Sequence, residues 1–173
     1  MLPIRDENQI VFSSKLEITP KGANFEFQDY FDTRVVFFEA LEPHLELSIL
    51  SDSLVELRNG KSGDPTASWT ELAETIPTRV DLTEYSAQTK RTTPPAELAK
   101  FVHKVIEGSA PHEAAIAICK HIYSSVKYQH GVTGVHSIAS EAWKKKVGVC
   151  QDFAHLALGA LRAAGIPARY VSG

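Results

Sequence analysis

A single cysteine stands at the start of an apolar stretch late in the sequence. Cys150 follows Gly148 by two residues, and from Phe153 to Ala164 apolar side chains recur at positions i, i+3, i+4, i+7, i+8 and i+11. This spacing predicts one helix over about residues 150–164, with Gly165 as the residue that follows its C-terminal cap. The sequence therefore places a thiol in the first turn of a helix.

A thiol in that position has a reason to ionise. The first amides of a helix have no partner within the helix, and the helix dipole puts its positive end there. Such surroundings can bring the pKa of a thiol from about 8.5 into the range of roughly 3.5–7.5. Cys150 is therefore a candidate nucleophile, although most cysteines beside apolar helices are small buried residues. Cys119, in the middle of an apolar stripe, is predicted to be such a core residue.

A nucleophilic thiol needs a base within about 2.6–3.2 Å. His155 follows Cys150 by five residues, about 140° further round the helix, so its ring is expected to point elsewhere. His136 and His130 lie in the loop before the preceding short helix and remain open as alternatives. Asp152, in the first helical turn, should gain about 0.3–1 kcal/mol from the helix dipole, which is a structural role.

Composition excludes several classes of function. The formal net charge of −3 gives no electrostatic reason to expect nucleic acid as a partner, and no apolar run approaches the length of about 18 residues that a membrane span requires. We expect neither metal nor cofactor, because "HEAAI" at His112 lacks the second histidine of a zinc motif and no glycine-rich phosphate loop is present. The charged N-terminus and the two separate thiols predict a cytoplasmic protein.

Three segments differ in their hydrophobic pattern. Residues 1–70 alternate in polarity between turn-like clusters, which predicts antiparallel strands with one buried face. Residues 71–93 have no clear period and are interpreted as an irregular connector. Residues 94–173 are predicted to be helical up to "ARYVSG", which should begin a strand.

Two further helices and one short helix are expected in the last segment. After Thr93, as N-cap, the apolar stripe comprises Leu98, Phe101, Val102, Val105 and Ile106. After Pro111 it comprises Ala115, Ile118, Cys119, Ile122 and Val126. "SIASEAWKKK" reads as a short helix capped by Ser137. Trp143 in that helix is expected to pack in the core.

Motifs around Cys150 resemble a known family. "GVCQDFAHL" and the exit "GIPARYVSG" are similar to the central motif of the bacterial transglutaminase-like superfamily, whose members have a papain-like fold with a Cys–His–Asp triad. "TGVHSIASEAWKKKVGVC" resembles the family's approach to the nucleophile. "FSSKLEITPKGANFEFQDYFDTRVVFFEALEPHLELSILSDSLVEL" is similar to the β-rich region often found ahead of this domain.

The resemblance implies an α+β fold, in which an N-terminal antiparallel β region precedes the helical half of a papain/transglutaminase-like domain. It implies that Cys150 is the nucleophile and that the triad His and Asp lie on strands beyond Gly173. The chain is then expected to be truncated before most of its sheet and inactive as it stands. The function implied is acyl transfer from a peptide or protein carboxamide, to water or to an amine.

A second hypothesis belongs to a different class of function. The chain would then be a non-catalytic protein-interaction module, with a degenerate cysteine domain and the β region as its docking platform. For the truncated enzyme, the apolar face left without its sheet is expected to be exposed or to be buried by formation of a homo-oligomer.

Overall fold

A computed structural model describes residues 2–4, 7–30, 33–58, 67–132, 134 and 137–171. The chain divides into two compact units, residues 1–63 and residues 64–172. The boundaries predicted from composition, at residues 70 and 93, stay a prediction.

The first unit is built from two antiparallel strand pairs. β1 (Gln9–Thr19) pairs with β4 (Ser48–Leu57), from Gln9 opposite Leu57 to Thr19 opposite Ser48, with an irregularity between Val11 and Ser13. β2 (Asn24–Gln28) and β3 (Arg34–Phe38) form a hairpin. Antiparallel pairing was predicted from the alternating pattern, and the structure confirms it.

The predicted buried face of these strands is wrong for the described residues. Every residue of β2 and β4 is exposed, and Val11 is the buried apolar residue of the unit's described part. A two-stranded ribbon has no second layer of structure to cover one of its faces. Alternation of polar and apolar residues along the strands is therefore not sufficient for burial. Phe25 and Phe37 instead stack on each other, with ring centroids 5.0 Å apart.

The second unit is helical. Its elements in chain order are α1 (Trp69–Thr75), α2 (Val80–Ser86), α3 (Ala96–Ile106), α4 (Pro111–Ser125), β5 (Lys127–Tyr128), α5 (Ala139–Lys145), β6 (Val147–Gly148) and α6 (Cys150–Ala163). β5 and β6 pair in parallel. A 3₁₀ turn, Ile76–Thr78, joins α1 to α2.

Local signals explain where several of these helices begin. Ser68 and Glu71 form a reciprocal capping box at α1, in which Glu71 accepts from the Ser68 amide at 2.7 Å. α1 and α2 occupy much of residues 71–93, so the segment interpreted as a connector contains two short helices that its pattern did not predict. Ser137 does not cap α5 either: the cap is Ile138, and the Ser137 hydroxyl accepts from the amide of Gly134.

The core of the helical unit lies between α3, α4, α5 and α6. It comprises Leu98, Val102, Ile118, Ile122, Val126, Ala139, Ala142, Trp143, Leu156, Ala160 and Ala164. The predicted stripes of α3 and α6 face this core, and the predicted burial of Trp143 is confirmed. The Nε1–H group of Trp143 donates to Glu97 at 2.8 Å, which satisfies the polar atom of a buried indole.

The C-terminal end of α6 is capped at the residue that the sequence predicts. Gly165 has a φ of +83°, and the amides of Gly165 and Ile166 donate to the carbonyls of Arg162 and Leu161. This is a Schellman arrangement, which favours glycine because of the left-handed backbone. The predicted strand after it is not formed in residues 166–171; Arg162 holds that segment by donating to the carbonyl of Ala168 at 2.6 and 3.0 Å.

Gly159, in the second half of α6, lies where that helix packs closely against the backbone of Thr92. A Cβ added there would lie 1.7 Å from the carbonyl oxygen of Thr92. We therefore expect Gly159→Ala to lower the free energy of unfolding by about 3 kcal/mol or more, since backbone cannot yield as a side chain can. Both tryptophans, Trp69 and Trp143, lie in this unit, so tryptophan fluorescence during urea unfolding measures its stability.

Gly108→Ala is the matched control. An added Cβ at Gly108 has no atom within 4 Å. Its effect should stay within about 0.5 kcal/mol. Equal effects of the two substitutions would contradict close packing at Gly159.

Candidate functional site

Cys150 is the first residue of α6, and its side chain is exposed. The chain reaches it from α5 through Lys146, whose left-handed backbone (φ 56°) ends that helix, and then through β6. Pairing with β5 fixes this approach, because the amide of Gln129 donates to the carbonyl of Gly148 at 2.9 Å. The prediction that a thiol opens an apolar helix is confirmed in its geometry.

Asp152 holds the turn that leads into the helix. Its carboxylate is fully buried, and Oδ2 accepts from the amide of Val149 at 2.8 Å. The carbonyl of Val149 in turn accepts from the amides of Asp152 and Phe153. Asp152 was predicted to interact favourably with the helix start; the structure shows that it also binds the N-cap residue directly.

Gly148 makes room for that carboxylate. A Cβ at Gly148 would lie 2.8 Å from Cβ and 3.0 Å from Oδ2 of Asp152. The sequence analysis did not predict this role. The residue must be small because the protein's own side chain fills the space beside it.

His155 lies on the buried face of α6, with 8% of its surface exposed. Its Nδ1 atom has no hydrogen-bond partner among the described residues, and its ring lies 6.1 Å from that of Tyr170, centroid to centroid. Burial lowers the pKa of His155; Asp152 raises it and Arg91 lowers it, so burial dominates. As predicted, the ring points away from Cys150, which is exposed.

The other described histidines have no described contact with Cys150. His130 is exposed and lies edge-on to the ring of Tyr128, with centroids 5.1 Å apart. His121 stacks on Phe101 at 3.7 Å. His136, the second alternative base, lies outside the described residues. No described histidine makes a hydrogen bond to the Cys150 side chain.

An apolar groove of about 610 Å³ runs between α4 and α6. Its lining comprises Cys119, Lys120, Ile122, Tyr123, Phe153, Ala154 and Ala157. The prediction that Cys119 is a core residue is wrong, because the residue is exposed beside this groove. Partial burial of its thiol nevertheless raises the pKa of Cys119.

No group of three or more histidine, cysteine or acidic side chains in the described part of the chain is arranged to hold a metal ion. Within the same residues, none of the helices combines the length and apolarity needed to cross a membrane.

Comparison with known proteins relates the helical unit to cysteine-enzyme-like folds, through a family match and a solved structure. The family described as the transglutaminase-like superfamily matches residues 99–173, and the bacterial transglutaminase-like N-terminal region matches residues 1–56. The predicted resemblance to this superfamily and to its bacterial N-terminal region is thus confirmed by family matches over two separate segments of the chain.

A solved structure shares the fold. It is a protein of Cytophaga hutchinsonii described as "a Putative Cysteine Protease", which matches 95% of this chain and 56% of its own with a TM-score of 0.75 and 24% identity. At that identity the likeness concerns the fold alone. The predicted α+β class, strands first and helices after, is confirmed.

Curated relatives come from mycobacteria. An uncharacterized protein of Mycobacterium leprae is 35% identical over 174 residues, which cover 100% of this chain and 62% of the relative. An uncharacterized protein of Mycobacterium tuberculosis is 32% identical over 148 residues, 79% of this chain and 46% of its own length. The chain thus spans about half to three fifths of these relatives.

The Asp152 hydrogen bond can be tested through stability. Asp152→Ala should lower the free energy of unfolding by about 1.5–3 kcal/mol, because the partly buried amide of Val149 loses its carboxylate acceptor. Asp152→Asn keeps an acceptor oxygen and should lose less than half as much. Urea unfolding followed by tryptophan fluorescence measures both; equal losses would mean that the charge matters and the hydrogen bond does not.

His155 should make stability depend on pH. Its folded pKa is lowered, so the unfolded chain takes up a proton first as pH falls below about 6.5. Its stabilising contribution is thus present above that pH and declines below it, at up to about 1.4 kcal/mol per pH unit. Urea unfolding at pH 7, 6 and 5 should show a shallower decline in His155→Gln. Parallel declines in the two proteins would exclude this role.

Proposed function

We propose that Cys150 is the nucleophile of an acyl-transfer reaction on a peptide or protein carboxamide. The observation that carries the proposal is its position: an exposed thiol on the first residue of a 14-residue helix, within the segment that matches the transglutaminase-like superfamily. The thiolate is the reactive species of such a nucleophile.

The proposed reaction has two steps. The Cys150 thiolate attacks the carbonyl carbon, the C–N bond breaks, and the leaving amine or ammonia takes a proton; a thioester remains. Water or a second amine then attacks the thioester carbonyl and releases the thiol. The amide of Cys150 is one of the helix-start donors that the helix itself does not satisfy, and it is suited to stabilise the oxyanion.

The base of this reaction is proposed to come from outside the described residues. His155 is buried whereas Cys150 is exposed, and among the described contacts neither His155 nor His130 forms a hydrogen bond to Cys150. The resemblance to the family assigns the base to a histidine further along the chain, with an aspartate that orients it.

Hydrolysis is proposed rather than crosslinking, and the cytoplasm is proposed as the location. Cys119 and Cys150 are both free thiols, which suits a reducing compartment.

The alternative function, a non-catalytic interaction module, is favoured by one observation. The first unit exposes apolar side chains on its strands, including Phe12, Phe25 and Leu54, each more than half exposed. Surfaces of this kind serve as contact sites for other proteins, including a second copy of the same chain.

Selective alkylation separates the two functions. We expect iodoacetamide at pH 7 to modify Cys150 roughly several-fold faster than Cys119, because burial raises the pKa of Cys119 and thereby lowers its thiolate fraction, whereas Cys150 is exposed at a helix start. Peptide mass spectrometry after short reaction times gives the two rates.

Two variants serve as controls. Cys119→Ala should keep the fast modification and Cys150→Ala should abolish it. A p-nitrophenyl ester should likewise leave one acyl group on Cys150 in the first variant and none in the second. Modification of Cys150 at or below the rate of Cys119 would overturn the assignment of Cys150 as the nucleophile. The non-catalytic interaction module would then be the better-supported function.

A further inference from the structure

Lys146, at the end of α5, has a backbone conformation that residues with a Cβ rarely adopt. Its φ of 56° and ψ of 25° lie in the left-handed region, and within the described part of the chain it is the one residue other than glycine with a positive φ. Helices often end on glycine in this conformation, because a Cβ makes it costly. Gly165 has that place after α6. A lysine at position 146 therefore calls for contacts that glycine could not make.

The ammonium group of Lys146 lies over the face of a tryptophan in the core. Its Nζ atom is 3.6 Å from the centroid of the Trp143 ring and 3.7 Å from Oε2 of Glu97. The same carboxylate oxygen accepts from Nε1 of Trp143 at 2.8 Å. Side chains from α3, from α5 and from the residue that ends α5 thus form one cluster of mutual contacts.

The contact with the ring is the stronger of the two that Lys146 makes. The side chain of Glu97 is 73% exposed, and an ion pair in such surroundings contributes little. Trp143 is only 4% exposed and belongs to the core, so its ring is held in place. A cation gains more on a partly desolvated indole than in an open ion pair. The tryptophan therefore fixes the lysine side chain, and the carboxylate restricts where the ammonium group can lie.

The backbone of Lys146 leads directly to the proposed nucleophile. Its amide donates to the carbonyl of Trp143 at 3.3 Å, which closes the last turn of α5. Its carbonyl accepts from the amide of Lys127 at 2.9 Å, at the start of the pairing between β5 and β6. Four residues later the chain reaches Cys150. Lys146 thus connects a helix that is anchored in the core to the strand that delivers the thiol.

We propose that Lys146 is a positioning residue for Cys150: its side chain, held on Trp143, fixes the left-handed turn that directs β6 and the start of α6. Glycine could adopt the same turn but would leave it freer to change conformation. The consequence for catalysis rests on the proposed function, because in an acyl transfer a displacement of 1 Å can cost about 100-fold in rate. The turn and its contacts do not depend on that function.

Two substitutions at position 146 separate the charge from the apolar stem of the side chain. Lys146→Arg keeps a cation that can lie over the indole, whereas Lys146→Met keeps an unbranched apolar stem without a charge. Both retain a Cβ, so the left-handed backbone is equally costly in the two variants. If the cation on the ring fixes the turn, the Arg variant behaves like the original protein and the Met variant does not.

Hydrogen–deuterium exchange, followed by NMR, measures how firmly the turn is held. The amides of Lys127 and Gln129 report it, because they donate to the carbonyls of Lys146 and Gly148 across the strand pair. We expect both amides to exchange about fivefold or more faster in Lys146→Met, and to stay within about twofold of the original rate in Lys146→Arg. The alkylation rate of Cys150 should change in the Met variant and be restored in the Arg variant. Equal exchange in the two variants would overturn the proposal.

A third variant tests whether Lys146 does no more than end a helix. Glycine removes the cost of the left-handed backbone, so Lys146→Gly should exchange the two reporter amides no faster than the original protein if helix termination is the whole role. Under the proposal, the Gly variant exchanges them at least as fast as the Met variant, because it too lacks the cation. Slow exchange in the Gly variant would therefore contradict the positioning role.

One measurement needs no substitution. In ¹H–¹³C NMR spectra of the unmodified chain, the methylene protons next to the Lys146 ammonium group should be shifted upfield of those of the other lysines, because they lie above the Trp143 ring. Unshifted protons would exclude the contact even if every variant failed to fold. This shift and the exchange rates do not depend on thiol chemistry. An unreactive Cys150 would thus overturn the proposed function, whereas loss of the shift would overturn the role of Lys146.

Discussion

Burial of one face of α6 is the constraint on which the rest of the helical unit depends. Leu156 and Ala160 are fully buried, and α3, α4 and α5 all pack against this helix. Fixing that face also fixes the direction in which the helix begins. Cys150 therefore emerges at the surface because the residues one to three turns later cannot leave the core.

The same constraint explains what the sequence predicts well. α6 begins at Cys150 and ends before Gly165, as expected, because periodicity, glycine and helix caps are local features of the chain. The stripe of α3 is predictable for the same reason. The motifs around Cys150 also predict a resemblance to the transglutaminase-like superfamily, and the family match over residues 99–173 confirms it.

Features that depend on distant partners were not predictable in the same way. Cys119 is adjacent to the buried Ile118 and lies about 100° from it round the helix, so it falls at the edge of the stripe beside a groove. The strands of the first unit alternate in polarity, but β4 is exposed throughout. Helices α1 and α2 were missed because seven residues give too short a window for periodicity, although the capping pair Ser68 and Glu71 is a readable signal.

The polar pair in the core of α6 shows what a purely apolar face could not do. Apolar residues at positions 152 and 155 would avoid the desolvation of a carboxylate and an imidazole, and such replacements are often neutral or stabilising. An apolar residue at position 152 would also leave the partly buried amide of Val149 without its present acceptor, and loss of a hydrogen bond to a charged group costs about 1.5–3 kcal/mol. The loss would fall on the turn that leads directly into Cys150. The buried carboxylate of Asp152 is therefore best understood as the group by which the core fixes the start of the helix and, with it, the place of one exposed thiol.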